Sequence, residues 1–326
     1  MNEFDVSVVV AVYNSDIKRL YRTIYSVVIH KNRQLEIVMA DDGAENNHKD
    51  ELISFFRMYN FSNFTFAFLN NNSGTVKNII NSLKFCHGKY IKLISPGDYL
   101  YDSMTLSDWV NFMESSGCVF SSGRYIEYTS NEDDSYFRDD STQPGRRPHN
   151  LKIYLNGQDN KKIIYNYLLL DDVFNGATIL VERDAINKYL PLIDGKVKFS
   201  EDTIYKIMIS EGIYPSFFDR KTVWYSYGDG VSTVKNLRWV NTILKDHYLA
   251  GLIICKRLKK LNWFNIRYKS YLYICKYTIV KIVSKYILFP SLLFYRINRN
   301  GLSKGNYTDF DISILEEYYD QNFIDN

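Results

Sequence analysis

The chain has 326 residues, 40 Lys and Arg against 37 Asp and Glu, a formal net charge of +3 and 46% hydrophobic residues. That length is enough for about two structural units with well-buried cores, and the composition excludes a collagen-like, fibrous or wholly disordered chain. The near-neutral total hides an asymmetry: residues 1–234 carry 25 basic and 30 acidic side chains, residues 235–304 carry 15 basic and only Asp246, and residues 305–326 carry six acidic and none basic. Such a basic stretch points to an anionic partner. Four scattered cysteines without a CxxC pair, and no His at metal-ligand spacing, argue against structural zinc and a disulfide framework. An acidic N-terminus before a short apolar run is unlike a secretory signal, so a reducing, cytoplasmic setting is expected.

Residues 6–12 (VSVVVAV) form a β-branched run of the kind that makes a strand buried on both faces. Helical spacing follows over about 16–31, with Ile17, Leu20, Ile24, Val27 and Val28 on one side. A second strand is expected at 35–40, ending in Asp41-Asp42-Gly43, then a helix near 48–59, a strand at 65–69, a helix at about 74–86 and a strand at 90–94. Strands alternating with helices at this spacing imply βαβ units and a parallel sheet, whose ligands bind beyond the carboxyl ends of the strands. The polar residues at those ends are Asn14, Asp41-Asp42, Asn70-Asn71-Asn72 and Ser95-Pro96-Gly97-Asp98. Neither GxGxxG nor GxxxxGK[ST] occurs in this half, so a dehydrogenase-type dinucleotide site and a P-loop have no support. Two carboxylate-bearing strand ends instead suit a nucleotide held by base and ribose at one end and by a hard cation on its phosphates at the other.

These residues resemble the ordered motifs of a family 2 glycosyltransferase with the GT-A fold: SVVVAVYN at 7–14, IVMADDGA at 37–44, NSGTVKNIINSLKFCHGKYIKLISPGDYL at 72–100 and SEDT at 200–203, spread over about residues 5–235. The resemblance implies an α/β fold with a Rossmann-like, mostly parallel central sheet and flanking helices. It also implies that Val12, Tyr13, Asn14, Asp41 and, beside it, Asp42 hold the uracil and ribose of a UDP-sugar, with Lys77 as a further nucleotide contact. The family's metal motif, Asp-x-Asp or Asp-x-Asp-Asp, falls on Ser95-Pro96-Gly97-Asp98, where two usual carboxylates are Ser95 and Gly97. Asp98 remains as a ligand for Mn²⁺ or Mg²⁺, with Ser95, Pro96 and Gly97 lining the donor; a plain β-turn is the alternative.

The ED pair, Glu201-Asp202, opens a helical segment, and in the family the Asp of this pair is the general base that deprotonates the acceptor hydroxyl. Ser200 as an N-cap with two acids in the first helical turn is the bland alternative. Gly176, before the strand ATILVE, lies where relatives form the floor of the donor and acceptor sites, or simply turns the chain into that strand. Residues 130–162 lack periodicity and read as an exposed loop, and the pairs Asp139-Asp140 and Asp171-Asp172 read as solvated faces. Gly228-Asp229-Gly230 resembles a short loop that closes over the diphosphate, with Asp229 as a second metal candidate or as a turn residue. Lys235-Asn236-Leu237-Arg238-Trp239 resembles the Gln-x-x-Arg-Trp motif of processive synthases, which makes Lys235 and Arg238 candidate diphosphate contacts.

Residues 242–261 and 263–300 read as basic amphipathic helices, and no window of 18 residues there is free of charge, so a spanning helix is not expected. Such helices suit the surface of an anionic membrane; packing on the catalytic domain or a dimer contact are the alternatives. Nucleic acid is a poorer partner, because no known motif accompanies the basic patch. The expected organisation is thus a GT-A domain over 1–235, a basic helical region over 236–304 and an acidic tail over 305–326 that could shield it. The resemblance implies an inverting, metal-dependent transfer of sugar from UDP-sugar to a lipid-linked glycan. It would take place at the inner face of the plasma membrane, in polysaccharide or capsule synthesis. A catalytically silent glycan- or nucleotide-binding scaffold is the alternative.

Overall fold

The computed structural model describes residues 4–130, 136–137, 148, 150–155, 159–227, 237–257, 263–288 and 310–321. Strand β1 (Phe4–Val12) is flanked by β2 (Leu35–Asp41) and β4 (Gly88–Ile94), with β3 (Phe64–Phe66) beyond β2, all running parallel. The valine run is buried on both faces as expected: Val6, Val8 and Val10 enter one core and Val9 the other. Helices α1 (Ile17–Val28) and α2 (Lys49–Met58) cover the first face, and α3 (Thr75–Ser82) the second. Pairing runs from Val6 opposite Leu35 to Val12 opposite Asp41, so both strands deliver their polar ends to the same edge.

Beyond β4 the sheet becomes mixed, where a mostly parallel one was expected. Strand β8 (Ile179–Glu182) runs antiparallel to β4, β6 (Phe120–Ser130) antiparallel to β8, β9 (Ser216–Ser226) parallel to β6, and β5 (Tyr99–Leu100) antiparallel to β9. A short strand β7 (Tyr136–Phe137) pairs with β6. Helix α4 (Thr105–Ser116) joins β5 to β6, while α5 (Lys152–Leu155), α6 (Asn160–Ile164), α7 (Arg183–Tyr189) and α8 (Thr203–Ser210) pack on the α3 side.

Within the stretch expected to be an exposed loop, Leu151, Ile153 and Tyr154 are buried in that core, because even a short apolar cluster in a polar tract gains by burial. The Asp171-Asp172 pair is likewise no solvated face. Asp171 lies between Lys206 Nζ at 3.1 Å and Lys269 Nζ at 2.6 Å and accepts the Tyr273 hydroxyl at 2.6 Å, while Asp172 accepts the Asn150 amide at 3.0 Å. Against the upward push of burial, the two lysines hold Asp171 well below the usual carboxylate range.

The basic stretch forms α9 (Leu237–Arg257), α10 (Trp263–Ile274) and α11 (Thr278–Leu288), so the helix expected over 263–300 breaks at Cys275-Lys276-Tyr277. Helices α9 and α10 add Ala250, Ile254, Cys255 and Ile266 to the α3-side core. They cross tightly, since a Cβ on Gly251 would overlap Ser270 Oγ. The described part of the acidic tail docks elsewhere. Its helix α12 (Ile312–Asp320) docks on α1 and β5: Leu315 and Tyr318 are fully buried, the Tyr318 hydroxyl donates to Leu100 O at 3.0 Å, the Asp311 amide donates to the Tyr101 hydroxyl at 3.1 Å, and Arg22 stacks 4.2 Å over Tyr319. Removing a buried ring of this size costs about 3–5 kcal/mol. Tyr318→Ala is therefore expected to lower unfolding free energy by that amount in urea titration.

Candidate active site

At the shared edge of β1 and β2, Val12 is buried and Tyr13 is exposed. Asn14 takes a left-handed backbone conformation (φ 47°), and its side-chain oxygen accepts the Glu45 amide at 3.2 Å. The Asp41 carboxylate is buried: Oδ1 accepts the Ala44 amide at 2.8 Å, whereas Oδ2 has no hydrogen-bond partner in the protein. A buried acceptor without a donor is costly, so this oxygen fits an imide N–H or a ribose hydroxyl. Burial raises the Asp41 pKa, against the pull of the Ala44 and Gly43 amides. Asp42, expected beside Asp41 as a further nucleotide contact, is buried as well. Its two oxygens accept the amides of Ser73 at 2.7 Å and Gly74 at 2.8 Å and so fix the start of α3, on which Lys77 is exposed.

The Ser95-Pro96-Gly97-Asp98 turn follows β4 and is closed by the Asp98 amide on Ser95 O at 2.9 Å. Gly97 sits at φ +96°, donates its amide to Thr23 Oγ1 at 2.9 Å and accepts the Tyr128 hydroxyl. Asp98 is buried, and its Oδ1 accepts the Ser226 amide at 3.1 Å. Burial pushes its pKa up to about 7, opposed by that amide and by Lys92 and Arg19. Ser95, Pro96 and Gly97 bring no carboxylate, and Asp98 is engaged inside the protein. Among the described residues no three His, Cys, Asp or Glu side chains converge. The donor set around this turn therefore does not fit the expected Mn²⁺ or Mg²⁺ site. Asp229 lies outside the described residues.

Two cations near the turn had no place in the sequence reading. Arg19, in the first turn of α1, donates Nη2 to Ser226 Oγ at 2.9 Å. Lys92 is fully buried within β4 and donates Nζ to Leu93 O at 2.6 Å and Ala177 O at 2.5 Å, tying β4 to the Gly176-Ala177-Thr178 turn. Burial lowers the Lys92 pKa to about 7, offset in part by Asp98. A lysine inside an apolar strand was the visible signal.

Asp202 occupies the N-cap position of α8, yet its side chain makes no capping hydrogen bond, so the helix leaves the carboxylate available. Ser200, the expected cap, instead accepts Thr203 Oγ1 at 2.8 Å through its carbonyl. Burial and the adjacent Asp202 push the Glu201 pKa up to about 8. A Cβ on Gly176 would meet Asp202 Cβ at 3.7 Å and Glu201 Oε1 at 4.0 Å. Both are ordinary contacts, so the turn lies directly beside the acid pair without sterically requiring glycine.

The loop that leads into this pair is held by the lone acid of the basic stretch. Asp246 of α9 is buried and accepts the amides of Lys198 at 3.0 Å, Phe199 at 2.8 Å and Ser200 at 3.3 Å. Trp239 stacks on Phe199 with ring centroids 5.5 Å apart. Arg238 stands beside it in the first turn of α9, whereas Lys235 lies outside the described residues. A single acid among 15 basic residues was legible as an oddity, but its partners were not.

A parallel four-strand half with a mixed half beyond it and flanking helices is the layout of the GT-A fold. The chain belongs to glycosyl transferase family 2, whose profile matches residues 7–188. Among solved structures it is similar to S. aureus TarS 1–349 in complex with UDP-GlcNAc, with 15% identity over 90% of this chain and 81% of that one and a TM-score of 0.52. It is also similar to the mannosyltransferase PcManGT from Pyrobaculum calidifontis in complex with GDP-Man and Mn²⁺, with 10% identity over 96% of this chain and 79% of that one and a TM-score of 0.56. At such identities the likeness is one of fold. No curated protein matches the sequence.

Asp246→Ala strands three loop amides, each buried unpaired group costing about 1–3 kcal/mol. The expected outcome is a lower urea midpoint and reduced turnover with UDP affinity retained, read by denaturation, UDP release and calorimetry.

Proposed function

We propose that the protein is an inverting glycosyltransferase that moves a sugar from a UDP-sugar to a hydroxyl of a lipid-linked glycan in cell-surface polysaccharide synthesis. The observation that carries this reading is the buried, unpartnered Asp41 Oδ2 at the edge where β1 and β2 end. It is matched to a donor group on the nucleoside, with the exposed Tyr13 ring as a stacking surface beside it. Asp202 takes the proton from the acceptor hydroxyl as its oxygen attacks the anomeric carbon and the diphosphate leaves from the opposite face. One displacement inverts that carbon. Asp202 serves better than Glu201, which holds its proton near neutrality. Lys92 and Asp246 act as positioning residues, the first fixing the Gly176-Ala177-Thr178 turn and the second the loop before Asp202.

UDP release from UDP-glucose, UDP-galactose, their N-acetyl forms and GDP-mannose tests the donor class. Asp202→Asn is expected to lower the rate by about 10²–10⁴-fold; full activity in that variant removes Asp202 as the base. UDP binding without release from any donor would favour a silent scaffold. Below pH 8 Glu201 is protonated, and above it a second negative charge stands where an anionic donor must bind. Turnover is therefore expected to fall as pH rises through about 8, and in Glu201→Gln the fall should vanish from the pH–rate profile.

We further propose that the protein works as a peripheral protein on the inner face of the plasma membrane, through α11. Ile279, Val280, Val283 and Ile287 of this helix and Tyr277 just before it are 49–77% exposed, and residues 276–288 include Lys276, Lys281 and Lys285. Apolar side chains with interspersed lysines suit the interface of an anionic bilayer. No described helix is long and apolar enough to cross a membrane. With each lysine near the surface contributing about 1 kcal/mol, charge reversal at all three is expected to weaken sedimentation with phosphatidylglycerol vesicles by about 100-fold or more. Equal binding to neutral and anionic vesicles overturns the proposal.

A further inference from the structure

We infer that Asp42 and Gly74 are positioning residues for the reaction: together they hold the loop before Asp202 at a fixed distance from the strand end that carries Asp41. Their role rests on the reading of Asp41 as a nucleoside contact and of Asp202 as the base.

Those two groups come from distant parts of the chain, and a backbone contact joins the segments that carry them. Gly74 is buried at the N-cap position of α3, with φ +93° and ψ 159°, a conformation that strains any residue with a side chain. A Cβ built there would stand 2.8 Å from Lys198 O, inside van der Waals contact. The Lys198 side chain is close as well but can swing aside. Its carbonyl is fixed, because that oxygen accepts the Val76 amide at 3.1 Å, and the amides of Lys198, Phe199 and Ser200 are bound to Asp246.

The start of α3 is tied just as firmly to β2. Asp42 accepts the Ser73 amide at 2.7 Å and the Gly74 amide at 2.8 Å, and Asn78 Nδ2 donates to Ala40 O at 2.7 Å. Bonds to a carboxylate are charge-assisted. Gly74 is thus the spacer between two anchored segments, one continuous with Asp41-Asp42 and the other two residues short of Asp202. A side chain at 74 must push them apart. The 198–200 loop yields first, since its outer amides reach Asp246 at 3.0 and 3.3 Å, longer than the bonds that hold the start of α3. Displacing a catalytic group by about 1 Å can cost on the order of 100-fold in rate.

A residue that only supports the fold lowers stability and leaves the folded fraction fully active. One that sets this gap lowers turnover in folded protein that still binds nucleotide. Gly74→Ala and Asp42→Asn are therefore compared with the unaltered chain by circular dichroism, UDP calorimetry and UDP release from the donor that chain turns over. The expected result is a native spectrum, retained UDP affinity, and turnover lowered about 10–100-fold in Gly74→Ala and less in Asp42→Asn, which keeps one acceptor oxygen. Adding Lys198→Ala to Gly74→Ala should restore nothing, because the carbonyl stays in place. Full turnover in both single variants overturns the inference, as does UDP affinity that falls in step with turnover, or recovery in the double variant. If Gly74→Ala does not fold, Asp42→Asn decides by the same readings. Absence of UDP binding or release in the unaltered chain, or full activity in Asp202→Asn, overturns the reading of the site and the inference with it.

Discussion

Backbone amides gathered by buried carboxylates hold the working edge of this protein together. Asp42 takes the amides that open α3, α3 in turn donates the Val76 amide to Lys198 O at 3.1 Å, and Asp246 takes the next three amides leading to the ED pair. The chain of contacts runs from the end of β2 to a helix more than 200 residues later in sequence. Hydrogen bonds to a charged acceptor are stronger than neutral ones, and a buried carboxylate deprived of them is expensive. The loops between strands are thereby fixed almost as firmly as the strands, which is what a base and a nucleotide contact on separate loops require.

The same economy explains why the basic segment is not a simple appendage. Helices α9 and α10 carry the acid that holds the loop before Glu201-Asp202 and the lysine that neutralises Asp171, so the core on the α3 side closes only when they dock. Helix α11 stands apart from this pattern: Tyr286 packs against the core, but Ile279, Val280, Val283 and Ile287 are left exposed. Fixing the site and meeting a surface fall to successive helices of one segment.

The four parallel strands and their helices were legible because each is local: a β-branched run or an amphipathic stripe says where its own residues go. That Asn14 and Asp41 fall at strand ends and Asp202 at a helix start was legible for the same reason. Strands β6 and β9 were not, since FSSGRYIEYTS mixes serines, a glycine and charges, and its burial depends on partners about a hundred residues away, such as Thr222, whose side chain packs where a Cβ on Gly123 would be. Asp42, Asp98, Asp171 and Asp246 illustrate the wider limit. A carboxylate looks alike in sequence whether it binds a ligand, a metal or the amides of its own chain, and only the fold distinguishes these uses.

The docking of α12 has a temporal side. Tyr318 reaches back 218 residues to Leu100, beside the turn that carries Gly97 and Asp98. During synthesis the sheet can assemble long before those late residues emerge. In the interval Tyr99, which stacks on Tyr128 and meets Tyr318 edge-on, has one side without cover. Closing so long a loop is entropically slow compared with local pairing. The turn that carries Gly97 and Asp98 therefore gains the cover of Tyr318 only once a segment made more than 200 residues later has docked beside it.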